Sequence, residues 1–161
     1  MKMRGHSRRL LSVLLALIML LSLLPTAVLA ADPTPGTWKK IAFADITADD
    51  TIAITMTKDK TTWVLPNDGT AQKAAPAITG TVSGDTLTTT SESQFSWKVI
   101  KSTDTFQLVS ASDNTKYLYS TDKNNGIRQG KGESRDWKVD ATSGYLFNVA
   151  QKRYVGVYNQ Q

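Results

Sequence analysis

The sequence predicts an all-β domain of short antiparallel hairpins arranged as a threefold barrel. Thr, Val, Ile and aromatic residues dominate the chain after residue 36, and turn-forming clusters interrupt them about every eight to twelve residues, which is typical of many short strands. Similar tryptophan phrases also recur: "TWKKI" from Thr37, "SWKVI" from Ser96 and "DWKVD" from Asp136. We interpret each phrase as the start of one copy of a repeated unit, and closure of the copies into a barrel would remove exposed strand edges.

Residues 1–30 are predicted to be a secretory signal peptide. They combine a basic start, a continuous apolar run from Leu10 to Leu24, and an end at Val28 and Ala30 where cleavage is expected. The competing interpretation is an uncleaved membrane anchor, but a run of fifteen residues is shorter than the roughly 20 that cross a bilayer. We therefore expect a secreted or cell-surface protein without membrane attachment after cleavage.

Removal of the leader would remove most of the excess positive charge. The whole chain has 19 basic and 14 acidic residues. Four of the basic residues and none of the acidic ones lie in the first thirty positions, so the remainder has fifteen basic and fourteen acidic residues, a net charge of +1. Because no basic run remains to contact phosphates, we expect no nucleic-acid partner.

The 131 residues after the leader can form one domain with a hydrophobic core, and they contain neither histidine nor cysteine. The one histidine, His6, belongs to the leader. The mature segment thus lacks the common general base near neutral pH, a thiol nucleophile and the usual zinc ligands. We expect a protein that is not an enzyme and that uses no cofactor, metal or disulfide.

Residues 31–36 are expected to form an extended, proline-rich lead-in, because Pro33 and Pro35 cannot donate to a central strand. The predicted single domain then spans residues 37–161. Beyond the lead-in we predict no helix.

The first copy, residues 37–94, begins with the phrase of Trp38. An alternating strand "TIAITM", a polar turn "TKDK" and a second strand "TWVLPN" with Trp63 follow. This copy also contains an insertion, "AITGTVSGDTLTTT", which is predicted to be a hairpin that turns at residues 83–85.

The second copy, residues 95–134, begins with the phrase of Trp97 and repeats the order of strand, turn and strand as "TFQLVS", "ASDNT" and "KYLYS". Tyr117 is here the expected counterpart of Trp63, and "GIRQG" is a plausible fourth strand.

The third copy, residues 135–161, has Trp137, "GYLFNV" and "RYVGVYN" with Tyr154, but no counterpart of the fourth strand. We therefore expect either that the natural gene continues after Gln161 or that the barrel lacks its last strand and is open there.

The tryptophans of the three phrases are expected to be core residues, because a large aromatic side chain that recurs at one structural position is usually buried. The alternative is that Trp38, Trp97 and Trp137 form platforms on which sugars stack. Period-two alternation groups further apolar side chains on single strand faces: Ile52, Ile54 and Met56; Phe106 and Leu108; Tyr145, Phe147 and Val149.

The phrases "SWKVI", "KYLYS" and "RYVGVYN" resemble those of β-trefoil-like modules in large secreted or surface proteins of Gram-positive bacteria, often gut residents. The likeness covers Thr37 to Asn159 and implies a trefoil fold and an accessory role beside a catalytic or adhesive domain. The Gln-x-Trp signature of ricin-type lectins is absent, since Gln94 precedes Trp97 by three residues and the other two phrases have no such glutamine. The resemblance therefore does not imply lectin activity.

The best ligand-binding candidates are aromatic side chains beside the polar turns, because a tyrosine ring can stack while its hydroxyl forms hydrogen bonds. These candidates are Trp63, Tyr117, Tyr119, Tyr154 and Tyr158. The alternative is that they pack inward as cross-strand pairs. Because Tyr117 and Tyr119 are two residues apart, they should lie on the same face.

The loop from Asp122 to Glu133 partly matches a calcium-binding EF-hand loop, with Asp122, Asn124 and Glu133 at positions 1, 3 and 12. Ile127 stands where the motif requires glycine, and "NNG" suits a hairpin turn better. We predict a turn.

These patterns together predict a secreted, non-catalytic monomer that binds carbohydrate or a surface protein as part of a larger protein. One alternative is a structural spacer or an inhibitor-like protein–protein module. Another is a small hydrolase that would need two converging carboxylates.

Overall fold

The computed structural model describes residues 32–73, 75–122 and 126–156. The predicted leader, its cleavage position at Ala30 and the candidate Tyr158 lie outside these residues. Described residues from Pro33 onward belong to one compact unit. Antiparallel strands dominate this unit, so the all-β prediction is confirmed.

The described residues form thirteen strands. In chain order they are β1 (Gly36–Lys39), β2 (Thr51–Ile52), β3 (Thr55–Lys58), β4 (Thr61–Val64), β5 (Ile78–Ser83), β6 (Thr86–Thr89), β7 (Trp97–Lys101), β8 (Phe106–Ser110), β9 (Tyr117–Ser120), β10 (Ile127–Gly130), β11 (Trp137–Val139), β12 (Leu146–Asn148) and β13 (Arg153–Tyr154). A 3-10 turn (Phe43–Asp45) and a short helix α1 (Glu92–Phe95) complete the elements.

The first sheet has the strand order β1-β6-β5-β4-β3, and two tight hairpins determine its register. β3 and β4 are joined by Asp59 and Lys60, both with positive φ (50° and 64°), as the two-residue turn of a twisted hairpin requires. β5 and β6 are joined at Gly84, with φ of 59°. The predicted "TKDK" turn and the predicted insertion hairpin are therefore confirmed.

The second sheet branches at β8. β7 pairs with the whole length of β8, from Trp97 opposite Ser110 to Lys101 opposite Phe106. β8 also pairs with β9 and with β11, each through a single residue pair. The path runs β10-β9-β8-β11-β12-β13, with β2 paired to β7, and the described strands form no closed barrel.

The core has two clusters. Trp97 and Trp137 are fully buried in the larger cluster, as predicted for core tryptophans. Trp38 is only half-buried and packs on the smaller cluster of Val64, Leu87 and Phe95. The expectation of one shared position for all three tryptophans is therefore wrong for Trp38, because its strand β1 pairs with β6 of the insertion hairpin.

The strand face predicted from Tyr145, Phe147 and Val149 points away from the core. β12 is only three residues long, and its buried side chain is Asn148 at 0% exposure, whereas Tyr145 and Val149 are exposed. Asn148 can be buried because its amide is paired: Nδ2 donates to Ser134 O at 2.8 Å, and Oδ1 accepts from Gln151 N at 2.9 Å.

The short helix α1 was not predicted. Ser91 caps it by accepting a hydrogen bond from Gln94 N at 3.3 Å, so "SESQ" has the Ser-x-x-Gln spacing of a capping box. The helix places Phe95 in the smaller core cluster immediately before β7. No helix in the described ranges combines the length and the apolar character that crossing a membrane requires.

Candidate functional site

Tyr154 lies in a cluster of aromatic side chains at the end of the second sheet. Phe147 on β12 is its cross-strand partner, with ring centroids 5.0 Å apart, and Tyr145 meets it edge-on at 6.5 Å and 73°. Tyr145 is 47% exposed and Tyr154 is 52% exposed. We call Tyr145, Phe147 and Tyr154 the aromatic platform.

A carboxylate lies beside the aromatic platform. Tyr154 Oη donates to Asp140 Oδ2 at 3.4 Å, while Asp140 Oδ1 accepts from Ser143 N and Ser143 Oγ, both at 2.8 Å. The bonds from Ser143 hold the pKa of the Asp140 carboxyl below its ordinary value. Desolvation, followed by the charge of Asp140, raises the pKa of the Tyr154 phenol. At neutral pH the platform therefore combines a carboxylate acceptor with a neutral phenol.

Tyr117 and Tyr119 share one face of β9, opposite the buried Leu118 and Ser120, as predicted. Both are half-buried because other residues cover them. The guanidinium of Arg135 lies 4.4 Å from the ring centroid of Tyr117, a cation–π contact.

Tyr119 packs against Gly132 so closely that a Cβ on this glycine would overlap the ring. The hydroxyl of Tyr119 donates to Ala71 O at 3.3 Å. These contacts fix both β9 tyrosines in the fold and leave them less accessible than the aromatic platform.

Trp63 lies on β4, where it pairs with Met56 of β3 and Thr79 of β5. The next residue, Val64, is buried in the smaller core cluster. Because side chains alternate along a strand, Trp63 lies on the face opposite Val64.

On that face, Trp63 lines a partly open cavity of about 740 Å³. The other side chains of the wall are mainly apolar and come from both sheets, among them Ile52, Ile54, Leu65, Val139, Leu146 and Val155. Tyr145 borders the cavity as well as belonging to the aromatic platform. The cavity was not predicted, because alternation identifies inward-facing positions but not the space left between them.

The predicted turn at residues 122–133 falls partly outside the described residues, which omit 123–125. On either side of those residues, Gly126 O accepts a hydrogen bond from Thr121 N at 2.8 Å. Among the described residues, no group of three or more His, Cys, Asp or Glu side chains could hold a metal ion.

Comparisons with known proteins give no assignment for this site. No protein-family model matches the chain, and no curated protein or solved structure matches it either. The geometry described above therefore carries the functional interpretation.

Proposed function

We propose that the chain is a secreted, non-catalytic binding module that binds carbohydrate at the aromatic platform. The observation that carries this proposal is the exposed pair Tyr145 and Tyr154, held edge to face beside the carboxylate of Asp140. The apolar C–H face of a sugar ring can stack on such a ring, and its hydroxyl groups can donate to the carboxylate.

The platform is open to solvent, so each site buries little ligand surface and its affinity is weak. Several sites on one glycan or one larger protein would increase the apparent affinity through avidity. This fits the accessory role that the resemblance to modules of Gram-positive surface proteins implies.

A glycan array followed by NMR titration of the best ligand tests the proposal. We expect Tyr154→Ala to weaken glycan binding at least tenfold without unfolding the domain, because the side chain is half exposed. Tyr117→Ala is the matched control, since Arg135 already covers that ring. Absence of binding to any glycan at high protein concentration, or equal loss in both variants, would contradict the proposal.

The finer fold that we propose is a β-trefoil-like arrangement of three units. Two matching sets of hydrogen bonds support it. Trp97 Nε1 donates to Leu65 O at 3.1 Å, and Trp137 Nε1 donates to Leu118 O at 2.9 Å. Leu65 N donates to Ile54 O at 3.0 Å, as Val155 N does to Leu146 O at 2.8 Å.

Equivalence of the units is tested by Trp97→Phe and Trp137→Phe. Each change leaves one backbone carbonyl unpaired, so both should lower the free energy of unfolding by a similar amount. The lost hydrogen bond should cost about 1–3 kcal/mol in addition to the packing lost with the smaller ring. A loss in one variant and none in the other would argue against equivalent positions.

A protein–protein module is the second candidate. Ile41, Val82 and Ile100 are 50%, 49% and 41% exposed, and such side chains suit a protein partner better than a sugar. Affinity capture by a surface protein that survives Tyr154→Ala and is lost in Ile100→Asp would favour this function over carbohydrate binding.

A further inference from the structure

We propose that Lys138 and Phe147 form a second sugar subsite next to Tyr154, an inference that rests on carbohydrate binding at the aromatic platform. The ligand is then an oligosaccharide of at least two units. It runs across the strands of the second sheet, from β13 to β11, and Lys138 selects it over a single sugar.

Strand register places the three side chains in one row. Lys138 of β11 pairs with Phe147 of β12, and Phe147 pairs with Tyr154 of β13. Side chains of directly paired residues lie next to each other on one face of a sheet. Neighbouring strands are about 4.8 Å apart, so the row from Lys138 to Tyr154 covers about 10 Å. This distance is longer than one pyranose ring.

The row faces away from the core. Val139 and Leu146, which alternate with Lys138 and Phe147 along β11 and β12, pack against the main core cluster. Lys138 and Tyr154 are exposed, and Phe147 is half-buried. A ligand can therefore reach the whole row from solvent.

The row has a hydrogen-bond donor as well as an acceptor beside its aromatic rings. The carboxylate of Asp140 accepts from Tyr154 Oη, and Lys138, two residues before Asp140, brings an ammonium donor to the side of Phe147. Among the described residues, this ammonium group has no hydrogen-bond or ion-pair partner. Because sugar hydroxyl groups both donate and accept, an oligosaccharide can pair with both groups while its second ring covers Phe147.

The first experiment measures the dependence of affinity on the number of sugar units. Glucose, maltose and maltotriose are titrated into the full chain by NMR, as are the cello-, manno- and chito-oligosaccharides of one to three units. In each series that binds, we expect the Kd to fall about tenfold from one unit to two, because the second unit gains stacking and a hydrogen bond.

The outcomes of this titration separate the two proposals. A Kd that is equal for one and two units would overturn the second subsite and leave carbohydrate binding at Tyr154 standing. Absence of binding in every series would contradict carbohydrate binding itself, and the second subsite with it.

The second experiment tests Lys138. Lys138→Met keeps an unbranched side chain but removes the ammonium donor, so it should raise the Kd of the disaccharide about fivefold and that of the monosaccharide less. Lys98→Met, the same change at an exposed position on β7, is the matched control. Equal effects of the two substitutions on the disaccharide would mean that Lys138 does not contact the ligand.

The third experiment locates the second sugar unit. The ring protons of Phe147 should shift more with the disaccharide than with the monosaccharide, and Tyr154→Ala should weaken the binding of both. A disaccharide that shifts the ring of Tyr145 but not that of Phe147 would place the second unit beyond the end of β12, which would overturn the proposal.

Discussion

Trp97 and Trp137 are fully buried, yet each indole N–H is paired with a backbone carbonyl. Truncation therefore removes packing and a hydrogen bond together. We expect Trp97→Ala to lower the free energy of unfolding by about 3–5 kcal/mol in denaturant titrations. Trp38→Ala should cost less, since that ring is half-buried. Equal losses in the two variants would mean that the burial of Trp38 is greater than the structure indicates.

A second prediction at the residue scale concerns hydroxyl groups. Thr121 Oγ1 is buried and has no hydrogen-bond partner among the described residues, so Thr121→Val should leave the free energy of unfolding unchanged or raise it. Thr89 is the control, because its Oγ1 accepts from Trp38 Nε1 at 3.3 Å and donates to Ser91 O at 3.1 Å. Thr89→Val should cost about 1–3 kcal/mol. The opposite order of the two thermal midpoints would contradict this explanation.

The carboxyl of Asp140 gives a prediction about pH. Its pKa is lowered in the folded state, so its contribution to stability is present above the unfolded pKa of about 3.9 and is lost as pH falls through the folded value. Ser143→Ala should raise this pKa toward its ordinary value in an NMR titration. The pKa of Asp113, which is lowered by hydrogen bonds from Thr115, should not change.

At the scale of elements, one buried amide joins β10 to the loop after β4. Gln129 is 1% exposed; its Oε1 accepts from Gly69 N at 2.6 Å, and its Nε2 donates to Pro66 O at 2.7 Å. Gln129→Leu would leave both backbone groups unpaired, at a cost of about 1–3 kcal/mol each. Denaturant unfolding measures this loss. Gln72→Leu, the same substitution at an exposed position, is the matched control and should cost less.

Turn chemistry made the hairpins predictable from the sequence. Asp59, Lys60 and Gly84 occupy positive-φ positions in turns that were identified from residue type alone. α1 was missed because four residues are too few to establish a helical period, although the cap at Ser91 was a usable signal. The buried amides were missed because their partners are backbone groups distant in sequence, such as Pro66 for Gln129.

Part of the candidate site was predictable at the same scale. Tyr154 was identified by its position beside a polar turn, and the structure finds it exposed. Tyr145 was assigned to a strand face, but β12 begins at Leu146, so Tyr145 lies in the loop and joins the platform. Trp63 was grouped with the tyrosines by its aromatic type, but its side chain faces the cavity rather than the platform.

At the scale of the whole molecule, the threefold sequence pattern does not produce three equal units. β1 and the insertion hairpin belong to a separate five-stranded sheet, whereas β2 of the same copy pairs with β7 of the second sheet. Sequence similarity among the copies could not indicate this division, because strand pairing depends on contacts between residues far apart in the chain. Trp38 therefore lies in the first sheet, whereas Trp97 and Trp137 lie in the second.

The branching of the second sheet at β8 determines how cooperatively the domain unfolds. Because β8 pairs with β7, β9 and β11, strands from the second and third copies share one ladder system, and β7 also pairs with β2 of the first. Repeats in a solenoid can melt one after another, since each touches only its neighbours. Here a copy cannot detach without breaking pairings of another, so heating should give a single calorimetric transition whose van't Hoff and calorimetric enthalpies agree.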